Sequence, residues 1–213
     1  MSAADRERRR AVAQLRRADP VLARLIDAHP AFDPRAWLAE LPPMDAFGAL
    51  VFQVVGQQLS VQATRRILSR LAEQFGDRLP TPAELLAASP DELRAAGLSG
   101  QKTATLRRIA EQFVAGPLSD EMLARLSDEE IETLLTTIPG VGPWTVHGFL
   151  IIALDRADVV LPGDLALRKS IQRVYGIDHL PSEREVAELA ERWRPHRSLA
   201  TAYLFQAAFD PTA

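Results

Sequence analysis

The chain has 213 residues, 47% hydrophobic and 25% charged, with a formal net charge of −3, enough apolar material for a packed core in one or two small subdomains. It contains no cysteine, which excludes disulfides, thiolate metal sites, cysteine-bound iron–sulfur clusters and thiol nucleophiles within it. Its histidines, His29, His147, His179 and His196, stand too far apart for zinc-ligand spacing, and no apolar run reaches membrane-spanning length, so we expect no zinc and a cytosolic protein off the membrane.

Proline and glycine cut the chain into segments of helical length, and none shows the alternation of a half-buried strand, so the fold class is read as all-α. Asp45 opens a helix through Phe47, Leu50, Val51 and Val54. Ser60 caps the next, with Ile67, Leu68 and Leu71 at helical spacing, and Gly76 ends it. Thr81-Pro82 and Ser89-Pro90 each set a capping hydroxyl before a proline suited to a first helical turn. Ser99 caps a longer helix through Leu106, Ile109 and Phe113.

An acidic helix over about 127–136 runs into Ile138-Pro139-Gly140-Val141-Gly142, followed by an apolar helix through Val146, Phe149 and Leu150. A loop ending Leu161-Pro162-Gly163-Asp164 leads into a helix with Leu167, Ile171 and Val174. Two more helices follow, one carrying Trp193, the other Tyr203, Leu204 and Phe205. With no internal repeat and no low-complexity linker, the preferred architecture is bilobal, with a cleft between the lobes.

In Pro139-Gly140-Val141-Gly142 two glycines flank one apolar residue at the start of a helix. Such a turn presents backbone N–H groups and the positive end of the helix dipole to a phosphate, and the missing side chains let a nucleic-acid backbone approach. A plain turn between packed helices is the commoner meaning of the tetrapeptide alone. The acidic net charge argues against a uniformly basic nucleic-acid coat, but arginines cluster at Arg65-Arg66, Arg107-Arg108 and Arg192-Trp193-Arg194, which leaves one face free to be positive.

The setting raises the specificity of the motif. Leu134 to Thr145 around the glycines, Leu161-Pro162-Gly163-Asp164 about twenty residues later, Gly56-Gln57-Gln58-Leu59-Ser60, Gly97-Leu98-Ser99 with Lys102, and Trp193 to Ser198 recur in order. Together they resemble the helix-hairpin-helix DNA glycosylase superfamily, in its branch similar to 3-methyladenine DNA glycosylase II. The resemblance spans roughly residues 45–209. It implies two helical subdomains, about 45–155 and 1–44 plus 156–213, with the active site in the cleft between them. From the short run before Asp45 a compact member without the N-terminal β domain of some relatives is expected.

The resemblance also implies roles. Asp164 matches the catalytic carboxylate, and as the cap of the following helix it would stay ionised and stabilise positive charge on the sugar as the base leaves. Trp144 lines the base pocket, where its indole stacks on a cationic base, with Phe205 and Phe47 as further pocket candidates, each open to a core role as well and Phe47 mainly so by its helical spacing. Phe205 stands where several relatives have tryptophan, and His196 likewise. Bifunctional relatives carry a Schiff-base lysine at the slot occupied here by Trp144, so the implied activity is monofunctional hydrolysis of the N-glycosidic bond of alkylated purines.

Gln58 or Leu59 is the candidate wedge that fills the space of the extruded nucleotide. Gly140, Val141, Gly142, Lys102 and Arg197 are candidate DNA contacts. The main-chain carbonyls of Thr136, Ile138 and Val141 match positions that hold a monovalent cation in relatives, and no other cofactor is expected. The expected partner is double-stranded DNA carrying alkylated bases, met as a monomer in the cytoplasm, at the nucleoid if the source is bacterial. The competing readings are a non-catalytic helix-hairpin-helix DNA-binding protein and a glycosylase for another damaged or mismatched base.

Overall fold

The computed structural model describes residues 3–209, all helices and connecting segments, with no strand among the described residues. In chain order the helices are α1 (Ala3–Ala18), α2 (Pro20–Ala28), α3 (Ala46–Gly56), α4 (Val61–Gln74), α5 (Pro82–Ala87), α6 (Pro90–Ala95), α7 (Gly100–Val114), α8 (Asp120–Arg125), α9 (Asp128–Leu135), α10 (Pro143–Ile152), α11 (Leu165–Tyr175), α12 (Glu183–Ala190) and α13 (Arg197–Phe209). The starts follow local capping chemistry. Asp45, Ser60, Thr81, Ser89, Ser99, Ser127, Asp164 and Ser182 each accept an amide of the following first turn, which satisfies N–H groups that a helix leaves without partners. At Thr81, Ser89, Ser127 and Ser182 a glutamate three residues on returns the bond as a capping box.

Two compact units result. One is Leu38–Asp155; the other takes in the described residues up to Trp37 and from Arg156 onward. In the first, α3 is buried on nearly every side, nine of its eleven residues being inaccessible, so it lacks the one-sided stripe of a surface helix and forms the centre of that unit. Leu50, Val54, Leu68, Leu85, Leu106, Ile109, Leu135, Val146 and Phe149 are buried with it, at roughly 1.5–3 kcal/mol for each large side chain removed from water.

In the second unit α11 packs on α13, and α2 packs on both α1 and α13. The run before Asp45, which carried no element in the sequence reading, supplies α1 and α2. Trp193 lies in a 3-10 turn, Glu191–Trp193, and not on a helix. Its ring is fully buried and its Nε1 donates to Asp19 Oδ2 at 2.9 Å. Tyr175 donates its hydroxyl to the same oxygen at 2.6 Å, and Asp19 Oδ1 takes the Val21 and Leu22 amides. Burial alone pushes the Asp19 carboxyl up, but the bonds from Trp193, Tyr175 and the two amides outweigh it and hold the group below its ordinary value.

Candidate active site

In the Leu38–Asp155 unit the hairpin between α9 and α10 forms because its residues permit a turn few others would. The Ile138 amide bonds Leu135 O at 3.1 Å and the Val141 amide bonds Ile138 O at 3.0 Å. Gly140 sits between them at φ 96°, and a β-carbon there would stand 2.0 Å from Thr105 Oγ1, so only glycine fits. Gly142 is different. Its φ of −112° suits any residue and a β-carbon would meet nothing within 4 Å. Neither backbone nor packing within the chain calls for glycine, so the position is bare toward solvent at the start of α10, where Gly142 provides no side-chain cap. Val141 is 6% exposed and anchors the turn in the core, while Trp144, on the first turn of α10, is half-buried.

Beside the hairpin, in the same unit, runs the loop between α3 and α4. Gln57 Nε2 donates to Gly140 O at 3.0 Å and to Thr145 Oγ1 at 2.9 Å. Gln58 holds φ 58°, a left-handed conformation that costs a residue with a β-carbon about 1–2 kcal/mol. Gln58 is exposed and Leu59 is 41% exposed. Five large hydrophobic side chains stand exposed among the described residues, and two of them, Leu59 and Val61, belong to this loop and the start of α4. Within this unit, Leu59 and Val61 place exposed apolar groups on either side of Ser60, the residue that caps α4.

In the other unit Asp164 is half-buried and caps α11, its Oδ1 accepting the Leu167 amide at 2.9 Å. Its own amide bonds Leu161 O at 3.0 Å, closing the turn that delivers it. The segment leading there is pinned from α13. Ser198 Oγ donates to Arg156 O at 2.6 Å and accepts the Val159 amide at 3.0 Å, and the Ser198 amide bonds Ala157 O at 3.0 Å.

The profile of the HhH-GPD superfamily of base excision DNA repair proteins matches residues 51–195. The chain belongs to this superfamily. Among relatives, DNA-3-methyladenine glycosylase 1 of Schizosaccharomyces pombe is 32% identical over 164 residues, covering 76% of this chain and 72% of that one. DNA-3-methyladenine glycosylase 2 of Escherichia coli is 31% identical over 76% of this chain and 57% of its own length. The solved structure of the Schizosaccharomyces pombe 3-methyladenine DNA glycosylase in complex with abasic DNA superposes with a TM-score of 0.85 at 30% identity, covering 92% of this chain and 95% of that one. The HhH-GPD fold agrees with the all-α reading.

For three side chains named from sequence the structure shows partners within their own unit. Lys102, one of the candidate DNA contacts, donates its Nζ to Val55 O at 2.7 Å and Gln57 O at 3.0 Å, because an ammonium one turn into α7 finds the carbonyls that α3 leaves at its end. Burial pushes its pKa down. Arg197 is a second such candidate. It is 17% exposed and turned onto Asp158, Nε to Oδ1 at 2.8 Å, with Glu191 Oε1 at 3.6 Å from its Nη1, so it pins the segment before Asp164. Asp158 answers these contacts. Its burial raises the carboxyl, but Arg197 and Arg194 bring it below the ordinary value.

Phe47, a pocket candidate, is 1% exposed and stacks edge-on to Phe113 with ring centroids 5.5 Å apart, a core ring of its unit. Phe205 is half-buried on α13. In the hairpin, Ile138 O already accepts the Val141 amide. Sequence reading missed Thr105 and Thr145, which carry no motif of their own and gain their role from packing, and it passed over Asp158. Their signal would have been polar residues at buried helical positions, since Thr105 and Thr145 are each 2% exposed.

Proposed function

We propose that this chain is a monofunctional DNA glycosylase that hydrolyses the N-glycosidic bond of alkylated purines, 3-methyladenine and 7-methylguanine among them. The observation that carries the reading is the likeness across almost the whole chain to a 3-methyladenine glycosylase bound to abasic DNA, abasic DNA being what removal of a base leaves.

In this reading the bare Gly142 and the outward amides at the start of α10 receive a phosphate of the duplex. The loop carrying Gln58 and Leu59 enters the stack, offsetting the few kcal/mol that extrusion of a nucleotide requires. Trp144 stacks on the extruded base, whose positive charge favours an electron-rich indole. As the C1′–N bond breaks, the electron pair neutralises the cationic base, so no strong general acid is needed. The Asp164 carboxylate stabilises the cationic sugar, and water adds to C1′ with loss of a proton to that carboxylate or to solvent. The carbonyls of Thr136, Ile138 and Val141 would hold a monovalent cation. The oxygen-only donors suit a hard cation, and Ile138 O keeps one lone pair beyond its bond to the Val141 amide. Such an ion would add positive charge beside a bound phosphate.

The test is release of free base from methylated duplex DNA, with strands analysed before and after alkali. Free methylpurine with breaks only after alkali is the expected result. Binding of duplex without base release would favour a non-catalytic DNA-binding role instead.

A further inference from the structure

The strained Gln58 and exposed Leu59 do not sit on a loose loop. The Gln57 side chain, one residue earlier, reaches across to Gly140 O and Thr145 Oγ1 of the hairpin. Lys102 on α7 holds Val55 O and Gln57 O. One turn further along α7, Thr105 Oγ1 donates to Pro139 O at 3.3 Å and abuts Gly140. A single rigid helix thus grips the loop through a lysine and the hairpin through a threonine, and the Gln57 amide closes the triangle.

We propose that Gln57, supported by Lys102 and Thr105, is a positioning residue that locks the wedge loop to the phosphate-binding hairpin, so that seating a phosphate and displacing the nucleotide are one mechanical event. This rests on the glycosylase reading. A left-handed residue persists where its surroundings over-determine it, and here those surroundings belong to the hairpin and to the helix beneath it. Gln57 itself touches no reacting atom. Its effect is felt in extrusion, the step at which a paired base must leave the stack, and not in bond cleavage.

Single-turnover base release distinguishes the two. The same methylated purine is placed opposite its pairing base in one duplex and opposite an abasic analogue in the other, where no pair must be broken. In Gln57→Ala and in Thr145→Val the ratio of paired to unpaired rates is expected to fall by up to about tenfold, the scale of a lost hydrogen bond. Thr145→Ser, which retains the hydroxyl, restores the wild-type ratio. Gln57→Ala/Thr145→Val falls no further than Gln57→Ala alone, since the Thr145 bond is one of the two that Gln57 makes.

An unchanged ratio, or additive losses in the double variant, overturns the proposal. Amide hydrogen exchange of the free protein supplies a readout that needs no reaction. Faster exchange confined to residues 57–60 in Gln57→Ala supports the lock, and unchanged exchange there overturns it. Absence of base release by wild type from both duplexes would sink the glycosylase reading, and the exchange result would then decide the lock alone.

Discussion

Asp164 Oδ1 accepts the Leu167 amide at 2.9 Å, and asparagine caps a helix as well as aspartate does. Asp164→Asn therefore removes the charge while the start of α11 survives. Base release is expected to fall on the order of a hundredfold or more with no drop in melting temperature, whereas Asp164→Ala loses in addition about 1 kcal/mol of capping. A mutant that loses stability and activity together in the asparagine form would make Asp164 a structural cap only. Gly140→Ala tests the hairpin in the same way. The positive φ and the 2.0 Å approach to Thr105 Oγ1 predict a loss on the order of 3 kcal/mol, roughly 10 °C in Tm. Adding Thr105→Ala relieves the overlap but not the φ, so recovery should be partial; full recovery would mean the backbone strain is negligible. Both positions were legible in the sequence, because glycines at fixed spacing and an aspartate before an apolar run carry local meaning. Lys102 and Arg197 were not, since a charge on a helix does not say whether it meets a carbonyl, a carboxylate or solvent until the facing residues, here Val55, Gln57 and Asp158, are in place.

Asp19 shows the same limit at the scale of elements. Asp19-Pro20 reads locally as a cap followed by a first-turn proline, and it is that. Its bonds to Tyr175 and Trp193, more than 150 residues away in sequence, tie α2 to the end of α11 and to the 3-10 turn before α13, and no local pattern announces them. The starts at Asp45, Ser60, Thr81, Ser89, Ser99 and Asp164 were legible because capping is local; α1, α2 and α8 went unread because their apolar faces are short or interrupted by arginines. The carboxylate is held below its ordinary value of 3.8. A depressed folded pKa means that the stabilisation is fully present above that ordinary value and is lost as pH falls through the folded one. Asp19→Asn sets an NH₂ where an oxygen accepts either the Oδ1 amides or the Oδ2 side-chain donors, leaving donors face to face. We expect a loss of about 2–3 kcal/mol at pH 7, seen in urea melts, and a gap to wild type that starts to narrow as pH falls below the ordinary value of 3.8 and closes once the native carboxylate protonates. A gap constant from pH 7 to pH 3 would show that shape and not charge is what Asp19 contributes.

Across the whole molecule the chemistry is constrained by how few amines it owns. Lys102 and Lys169 are the only lysines in the sequence, and position 144, where the family resemblance would put a lyase's lysine, holds tryptophan. A lyase needs a neutral amine free to attack C1′. Burial does lower the Lys102 pKa, which taken alone would favour a nucleophile. Geometry decides against it, since Nζ points its N–H groups at Val55 O and Gln57 O within the Leu38–Asp155 unit, and freeing it would release the loop it holds. Borohydride added during turnover on methylated duplex is therefore expected to trap no covalent protein–DNA adduct, and strand breaks should need alkali. An adduct that vanishes in Lys102→Met would give this lysine the catalytic amine and detach it from the loop. An adduct that vanishes only in Lys169→Met would instead place the reacting sugar beside the first turns of α11, next to Asp164, and convert the hydrolytic reading into a lyase.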